Sequence, residues 1–294
     1  MQFAKPKAGF RAARGQIVKN IQSKLDMSEI DGVFGNDTDK AVRGWQTDNN
    51  VESSGIVDEA TWSALMQCPP PSRMERALQL TAAFEGNGFG LANGNFDGQG
   101  LTWGIIGFTW SNNEVQQILT EAHQLYPVAF SEAFGALEPK ILAVLQLDHS
   151  AQMQWAYSVS IGNGERIASD WSAAFATLGA VPEVQALQLG RVQSRYWSRA
   201  MRDASALNIQ TEPGQALCFD IAVQNGGLDT SELDRIREEK AKSEADLLKI
   251  VTEVVADHAR PKYRQDVLDR KLTFATGRGT VHGDKYDISN WGIG

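Results

Sequence analysis

Only two cysteines, Cys68 and Cys218, occur in 294 residues, 150 positions apart and in unlike surroundings. One precedes a proline run and the other lies inside the apolar stretch ALCFDIAV. This excludes a disulfide framework or a cysteine-based metal site, leaves two free thiols with at least one buried, and fits folding in a reducing cytoplasm. The four histidines, His123, His149, His258 and His282, lack metal-ligand spacing, so a zinc amidase or peptidase is not expected, nor any metal or cofactor. No GxSxG or catalytic cysteine context occurs. No run approaches 18 uninterrupted apolar residues, so no membrane span is expected. The first twenty residues are basic but have neither the apolar core nor the cleavage site of a secretory signal. Positive charge is scarce too. The net charge of −8 and an isoelectric point near 5.1 leave little basic surface to neutralise phosphates, and nucleic acid is excluded as a partner.

What is present is an ordinary globular composition, 42% hydrophobic and 22% charged. Within it lies a repeat. Residues 32–41 read GVFGNDTDKA and residues 55–64 read GIVDEATWSA. Each unit has a glycine, an apolar pair and a threonine six positions after the glycine, and each follows a glutamine, Gln22 or Gln46. The glycines supply turns, and Thr38 and Thr61 are expected to cap the helices that follow. Two such units predict three short helices packed around Ile21, Phe34, Val42, Trp45, Trp62 and Leu65.

Over residues 14–66 the segments VKNIQSKL, IDGVFGNDTDKAVRGWQ and SSGIVDEATWSAL resemble the peptidoglycan-binding type 1 module found beside cell-wall hydrolases. The resemblance implies binding to wall peptide or glycan and no catalysis. The proline run of CPPPS (68–72) predicts an extended, semi-rigid spacer. The expected organisation is therefore a binding domain at 1–67, a linker at 68–72 and a catalytic domain at 73–294. Of the net charge, −1 lies in residues 1–71 and −7 in the rest.

Beyond the prolines the pattern is mostly helical. RMERALQLTAAFE (73–85) places Ala77, Leu80 and Phe84 on one face and ends at Gly86-Asn87-Gly88. Further helices are expected near 113–125, 128–134, 137–147, 150–160, 165–177, 182–206, 213–225, 231–257 and 261–272. One small β patch is expected, in FDGQGLTWGIIGFT (96–109). The fold class is mainly α, of the α+β kind, with a three-helix bundle preceding a larger helical domain.

Glu85 closes its helix, where unpaired carbonyls and the helix dipole disfavour an anion and favour a carboxyl that keeps its proton. Asp97 opens a glycine-rich turn twelve residues on, in polar surroundings that favour the ionised form. Two carboxyls held in opposite protonation states are the working parts of a glycosidase. Thr102 is placed to hold a water against Asp97. Gly98, Gly100, Gly104 and Gly107 would let backbone approach a sugar, and Trp103, Phe108 and Trp110 offer stacking faces. A plain glycine hairpin accounts for the same residues.

Glu85, then DGQGLT (97–102) and GIIGFT (104–109), resemble the catalytic core of the family 46 chitosanases, members of the lysozyme superfamily. FDIAVQNGG (219–227) and the tail RQDVLDRKLTFATGRGTVHGDKY are weaker similarities. The resemblance implies a lysozyme-like fold with Glu85 as general acid, Asp97 as base and Thr102 positioning the attacking water, with inversion. Trp103, Gly104, Gly107 and Asp220 are the expected substrate contacts. Asp220 with Arg264 or Arg270 would form a buried charge network steadying Glu85. The two resemblances together lead to a monomeric peptidoglycan glycosidase, an endolysin-like lysozyme cutting between N-acetylmuramic acid and N-acetylglucosamine. It would be made in a bacterial cytoplasm and released to the wall by a holin or a secretion system. A chitosanase, a lytic transglycosylase and a non-catalytic wall-binding protein are the alternatives.

Overall fold

The computed structural model describes residues 1–86, 88–96 and 98–294. Asn87, expected in the helix-stopping turn, and Asp97, the expected base, lie outside the described residues. The chain forms two compact units, residues 1–84 with 195–294, and residues 85–194.

The N-terminal module has the expected three helices. Strand β1 (Gln2–Phe3) precedes α1 (Gln16–Lys24), α2 (Asn36–Asp48), strand β2 (Val57–Asp58) and α3 (Glu59–Met66). The repeat has a physical meaning different from helix capping. Gln22, almost fully buried, accepts from Gly32 N–H at 2.7 Å and donates to Val33 O at 3.2 Å and Thr38 Oγ1 at 3.0 Å. Gln46 repeats the pattern with Gly55 N–H, Ile56 O and Thr61 Oγ1. In each repeat a buried amide thus satisfies the backbone of the turn and ties it to the helix that follows. Thr38 and Thr61 sit inside their helices. The cap of α3 is Asp58, which accepts from Thr61 N–H at 2.7 Å, and at Gly35 the start of α2 has no side-chain cap.

Helix α4 (Arg73–Glu85) has its expected bounds but is buried almost all round, from Met74 to Phe84, rather than on one face. The prolines before it are tied down. Trp62 Nε1 donates to the carbonyls of Cys68 and Pro69, and Pro71 O accepts from Arg76, whose guanidinium pairs with Glu212 at 2.6 Å. The stretch at 68–72 therefore falls inside one compact unit. The module packs there through bridges Phe3–Trp291 and Phe10–Lys285, and through Ile17 N–H donating to Gln79 Oε1 at 3.0 Å.

Residues 85–194 begin with an antiparallel sheet of β3 (Ala92–Asn93), β4 (Thr102–Trp103) and β5 (Phe108–Thr109). Helices α5 (Glu114–Leu125), α6 (Pro127–Phe134), α7 (Glu138–Leu145) and α8 (His149–Val159) follow. A hairpin of β6 (Ser160–Ile161) and β7 (Arg166–Ile167) leads to α9 (Ser169–Gly179) and α10 (Pro182–Arg191). Aromatic rings dominate this core. Phe134 packs on Phe130 and Phe175, with centroids at 4.7 and 5.6 Å, and Trp155 packs on Trp110 and Trp171 at 4.8 and 5.1 Å.

The helix expected at 182–206 is interrupted by a π-helical turn, Val192–Trp197, before α11 (Ser198–Ala206). Helix α12 (Glu212–Asn225) is buried on all sides from Ala216 to Ala222. The helix expected at 231–257 is two, α13 (Thr230–Glu238) and α14 (Glu244–His258), separated where Lys240 takes a positive φ. A capping box at Asp229 starts the first and Ser243 caps the second. Helix α15 (Arg264–Thr276) then packs on α12 and α14, and a hairpin of β8 (Arg278–Val281) and β9 (Asp284–Asp287) follows. The fold is mainly helical, as expected, but β1–β2, β6–β7 and β8–β9 add to the single β patch foreseen. No helix among the described residues is long and apolar enough to cross a membrane.

Candidate active site

Glu85 is the last residue of α4 and is exposed, while Phe84 beside it is buried against Phe274 and Tyr286. One helical turn earlier, Thr81 donates to Asp220 Oδ1 at 3.0 Å. Asp220 has no accessible surface and sits between Arg270, with Nη2 at 2.8 Å from Oδ1, and Lys271, with Nζ at 2.5 Å from Oδ2. Burial alone would raise its carboxyl, but the two cations outweigh that and hold it far below the usual carboxylate range. Lys271 also donates to Gln224 at 2.7 Å, and the Arg270 guanidinium lies 5.4 Å from the centre of the Phe84 ring. The network therefore grips the last turn of α4, which ends in Glu85. Arg264, the other expected partner, instead pairs with Asp257 and Glu253 at the surface. Complete burial corrects the expectation that Asp220 touches substrate.

FDGQGLTWGIIGFT does form a hairpin, and its register sorts the residues. Side chains alternate across a strand, so Ala92, Trp103 and Phe108 form one row and Asn93, Thr102 and Thr109 the other. The apolar row is core, and Trp103 Nε1 donates to Phe175 O at 3.1 Å. Trp103, Phe108 and Trp110, expected as stacking faces, are all fully buried and cannot meet a sugar. The polar row is half-buried, with Thr102 at its centre.

The glycines serve the turn. Gly104 has φ +93°, and a Cβ there would stand 2.5 Å from Gln188 Oε1, which accepts from Ile105 N–H at 3.0 Å. Gly107, also at positive φ, donates back to Gly104 O at 2.9 Å. Both positions are explained by the β4–β5 connection and the packing of Gln188, not by space for a ligand.

The loop entering β4 is held at both ends. Asn95 N–H donates to Ser160 Oγ at 2.9 Å, and Asn95 Oδ1 accepts from Gly100 N–H at 3.0 Å. Gly94 and Gly164 lie so close to the facing backbone that a Cβ on either would approach within 2.4–2.5 Å of a carbonyl oxygen.

Two features escape a reading of the residues alone. Glu114, buried at the start of α5, accepts from Thr109 N–H at 3.1 Å and so fixes the outer end of the polar row. A carboxylate in a first helical turn is a usual pattern, which is why the sequence does not single it out. Exposed aromatic surface is offered instead by Phe96, next to Asp97, and by Tyr157. Cys218 has its thiol pushed up to about 12, chiefly by burial, and is an inert core residue. Among the described residues no group of three or more His, Cys, Asp or Glu is placed to hold a metal ion.

Residues 82–253, more than half the chain, match glycosyl hydrolase family 46. The chain belongs to that family. Residues 14–65 match the peptidoglycan binding domain family. A family 46 chitosanase from Gynuella sunshinyii, solved with chitotetraose, aligns at 17% identity and a TM-score of 0.51, covering 74% of this chain and 98% of that one. A mutant chitosanase from Bacillus subtilis MY002, complexed with 6 GlcN, aligns at 19% identity and a TM-score of 0.53, covering 74% and 95%. At these identities the likeness is one of fold. Comparison with curated proteins gives no match. The chain is thus a glycoside hydrolase of family 46 with an N-terminal segment of the peptidoglycan-binding kind, and Glu85, Asp97, Thr102 and Asp220 all lie inside the family 46 match.

Proposed function

We propose that the protein hydrolyses the glycan strand of peptidoglycan, between N-acetylmuramic acid and N-acetylglucosamine. Residues 1–67 hold the wall, 68–72 connect, and 73–294 cut. The observation that carries this reading is the peptidoglycan-binding match in a chain whose remainder is a family 46 hydrolase. Glu85, at the exposed end of a helix gripped by the Asp220 network, protonates the leaving glycosidic oxygen. Asp97 takes the proton of the attacking water, which Thr102 helps to hold, so the anomeric configuration inverts. Phe96 offers the exposed ring for stacking that buried Trp103 cannot. Acting on a wall from within suits an endolysin set free by a holin, or an exported effector.

A second reading, chitosan hydrolysis, is favoured by one specific observation. Residues 85–194 carry ten Asp or Glu against three Lys or Arg, a balance suited to a polycationic sugar. The chitosanases of like fold point the same way. The test is new reducing ends from purified peptidoglycan and from chitosan, with wild type, Glu85→Gln and Asp97→Asn. Turnover of peptidoglycan by the wild type, lost by at least 100-fold in both variants, supports the proposal. Full activity in Glu85→Gln removes the proposed acid, and turnover of chitosan alone selects the second reading.

A further inference from the structure

The N-terminal module meets the hydrolase through far more than the proline run. Phe3 of β1 bridges to Trp291 near the C-terminus, and Phe10 bridges to Lys285 in β9. Beside that second bridge, Arg11 N–H donates to Lys285 O at 2.7 Å and the Arg11 guanidinium pairs with Asp284 at 2.9 Å. The C-terminal tail is pinched between the module and α4. Gly292 has φ +84°, and a Cβ there would stand 2.7 Å from both Phe3 Cζ and Arg76 Cδ. The module also touches α4 directly, where Ile17 N–H donates to Gln79 and a Cβ on Gly15 would approach the Gln79 side chain to 3.2 Å. A line of buried aromatic residues leads from this junction to the last turn of α4. Trp62 faces Phe3 at 6.4 Å, Phe3 bridges to Trp291, Trp291 packs on Tyr286 at 6.0 Å, and Tyr286 meets Phe84 edge-on at 4.8 Å. Phe3, Trp291, Tyr286 and Phe84 are each at most 5% exposed, and Phe84 immediately precedes Glu85.

We infer that Trp291 is a positioning residue for the general acid, on the reading of Glu85 as that acid, and that the module, by closing over Trp291, completes the core that holds α4. Residues 1–67 then have a second task besides holding the wall. Three contacts fix α4: the module at Gln79, the Asp220 network at Thr81, and the tail at Phe84. Six residues of one helix, about 9 Å, separate the first of these from Glu85. Close packing leaves no void to absorb a displacement, so a ring lost from the tail is felt at the last turn. Trp291 Nε1 has no hydrogen-bond partner among the described residues. A buried indole N–H left unpaired is unfavourable, so the residue serves here by the bulk of its ring. A module on a flexible tether would leave the placement of Glu85 to the hydrolase alone.

The test uses the full chain and a soluble substrate, peptide-free peptidoglycan strands or chitosan oligomers, whichever the wild type turns over. At saturation, anchoring to a wall contributes nothing to kcat. Trp291→Ala is assayed at a temperature where its circular dichroism matches the wild type. It should lose at least about tenfold in kcat with KM within about twofold, because a small misplacement of a catalytic group slows the chemical step. Trp291→Phe, which keeps a ring and gives up no hydrogen bond, should recover most of the loss. A folded Trp291→Ala with wild-type kcat overturns the positioning role. For the module, a protease site inserted between the exposed Gln67 and Cys68 is cut in the folded chain. The two pieces should co-elute on gel filtration and keep the kcat of the uncut chain. Pieces that separate, with the larger keeping wild-type kcat, overturn the module's place in the core, whether or not Trp291→Ala folds. Glu85→Gln in the same assay separates the two readings. Full activity there removes the acid itself, whereas activity lost there but kept in Trp291→Ala removes only the role of Trp291.

Discussion

Replacing Asp220 by Asn removes the charge at the centre of the family 46 domain while keeping its shape. Asp220 accepts from Thr81 Oγ1, from Arg270 Nε and Nη2 and from Lys271 Nζ, and both cations are within 1% of complete burial. Removing one member of such a cluster leaves buried charge without its counterion, a loss of about 3–5 kcal/mol. For a unit of this size that lowers the melting midpoint by roughly 6–20 °C, at about 2–4 °C per kcal/mol. The pH dependence separates charge from shape. The folded-state value of Asp220 is depressed, so its stabilisation is fully present above the unfolded value of about 4 and is lost as pH falls through the folded one. Urea unfolding of wild type and Asp220→Asn at pH 7 and at successive steps below pH 4 reads both quantities. The two proteins should differ by about 3–5 kcal/mol at pH 7 and converge as wild-type Asp220 takes up a proton. A difference below about 1 kcal/mol at pH 7, or one that stays constant down to the acid limit, refutes the reasoning.

Gly104→Ala places a methyl group on a residue at φ +93° and against Gln188, and a loss of about 2 kcal/mol or more is expected in urea unfolding, with reduced turnover because Thr102 lies two residues away. Gln46→Ala leaves the buried Gly55 N–H and Ile56 carbonyl without their partner, at about 1–3 kcal/mol each, so the module should become protease-sensitive below the melting temperature of the wild type. Equal protease resistance in Gln46→Ala and wild type contradicts the structural role given to the repeated glutamine.

The elements that sequence rendered well are those whose signals are local. α4 ends at Glu85 because the apolar pattern runs out at a glycine, and the three helices of the module follow from two visible repeats. The hairpin at Thr102–Thr109 was legible from its glycines, but which of its residues face the core was not. Trp103, Phe108 and Trp110 are large and aromatic, and only the register with Ala92 and the covering by Phe175 show them as core. Asp220 enters through the family resemblance of FDIAVQNGG alone. Its partners Arg270 and Lys271 lie fifty residues on, and adjacency in sequence did not distinguish them from surface Arg264. The repeated threonines looked like caps because capping is a local pattern, whereas their bonds run to glutamines 15 or 16 residues away.

The central claim is that water, activated opposite Glu85, cleaves the wall glycan. The most direct measurement is the mass of the fragments released from purified peptidoglycan by the full-length protein. Hydrolytic products ending in reducing N-acetylmuramic acid, absent with Glu85→Gln, are the expected result. Products ending in 1,6-anhydro rings, or no fragments from peptidoglycan while chitosan is degraded, would contradict it.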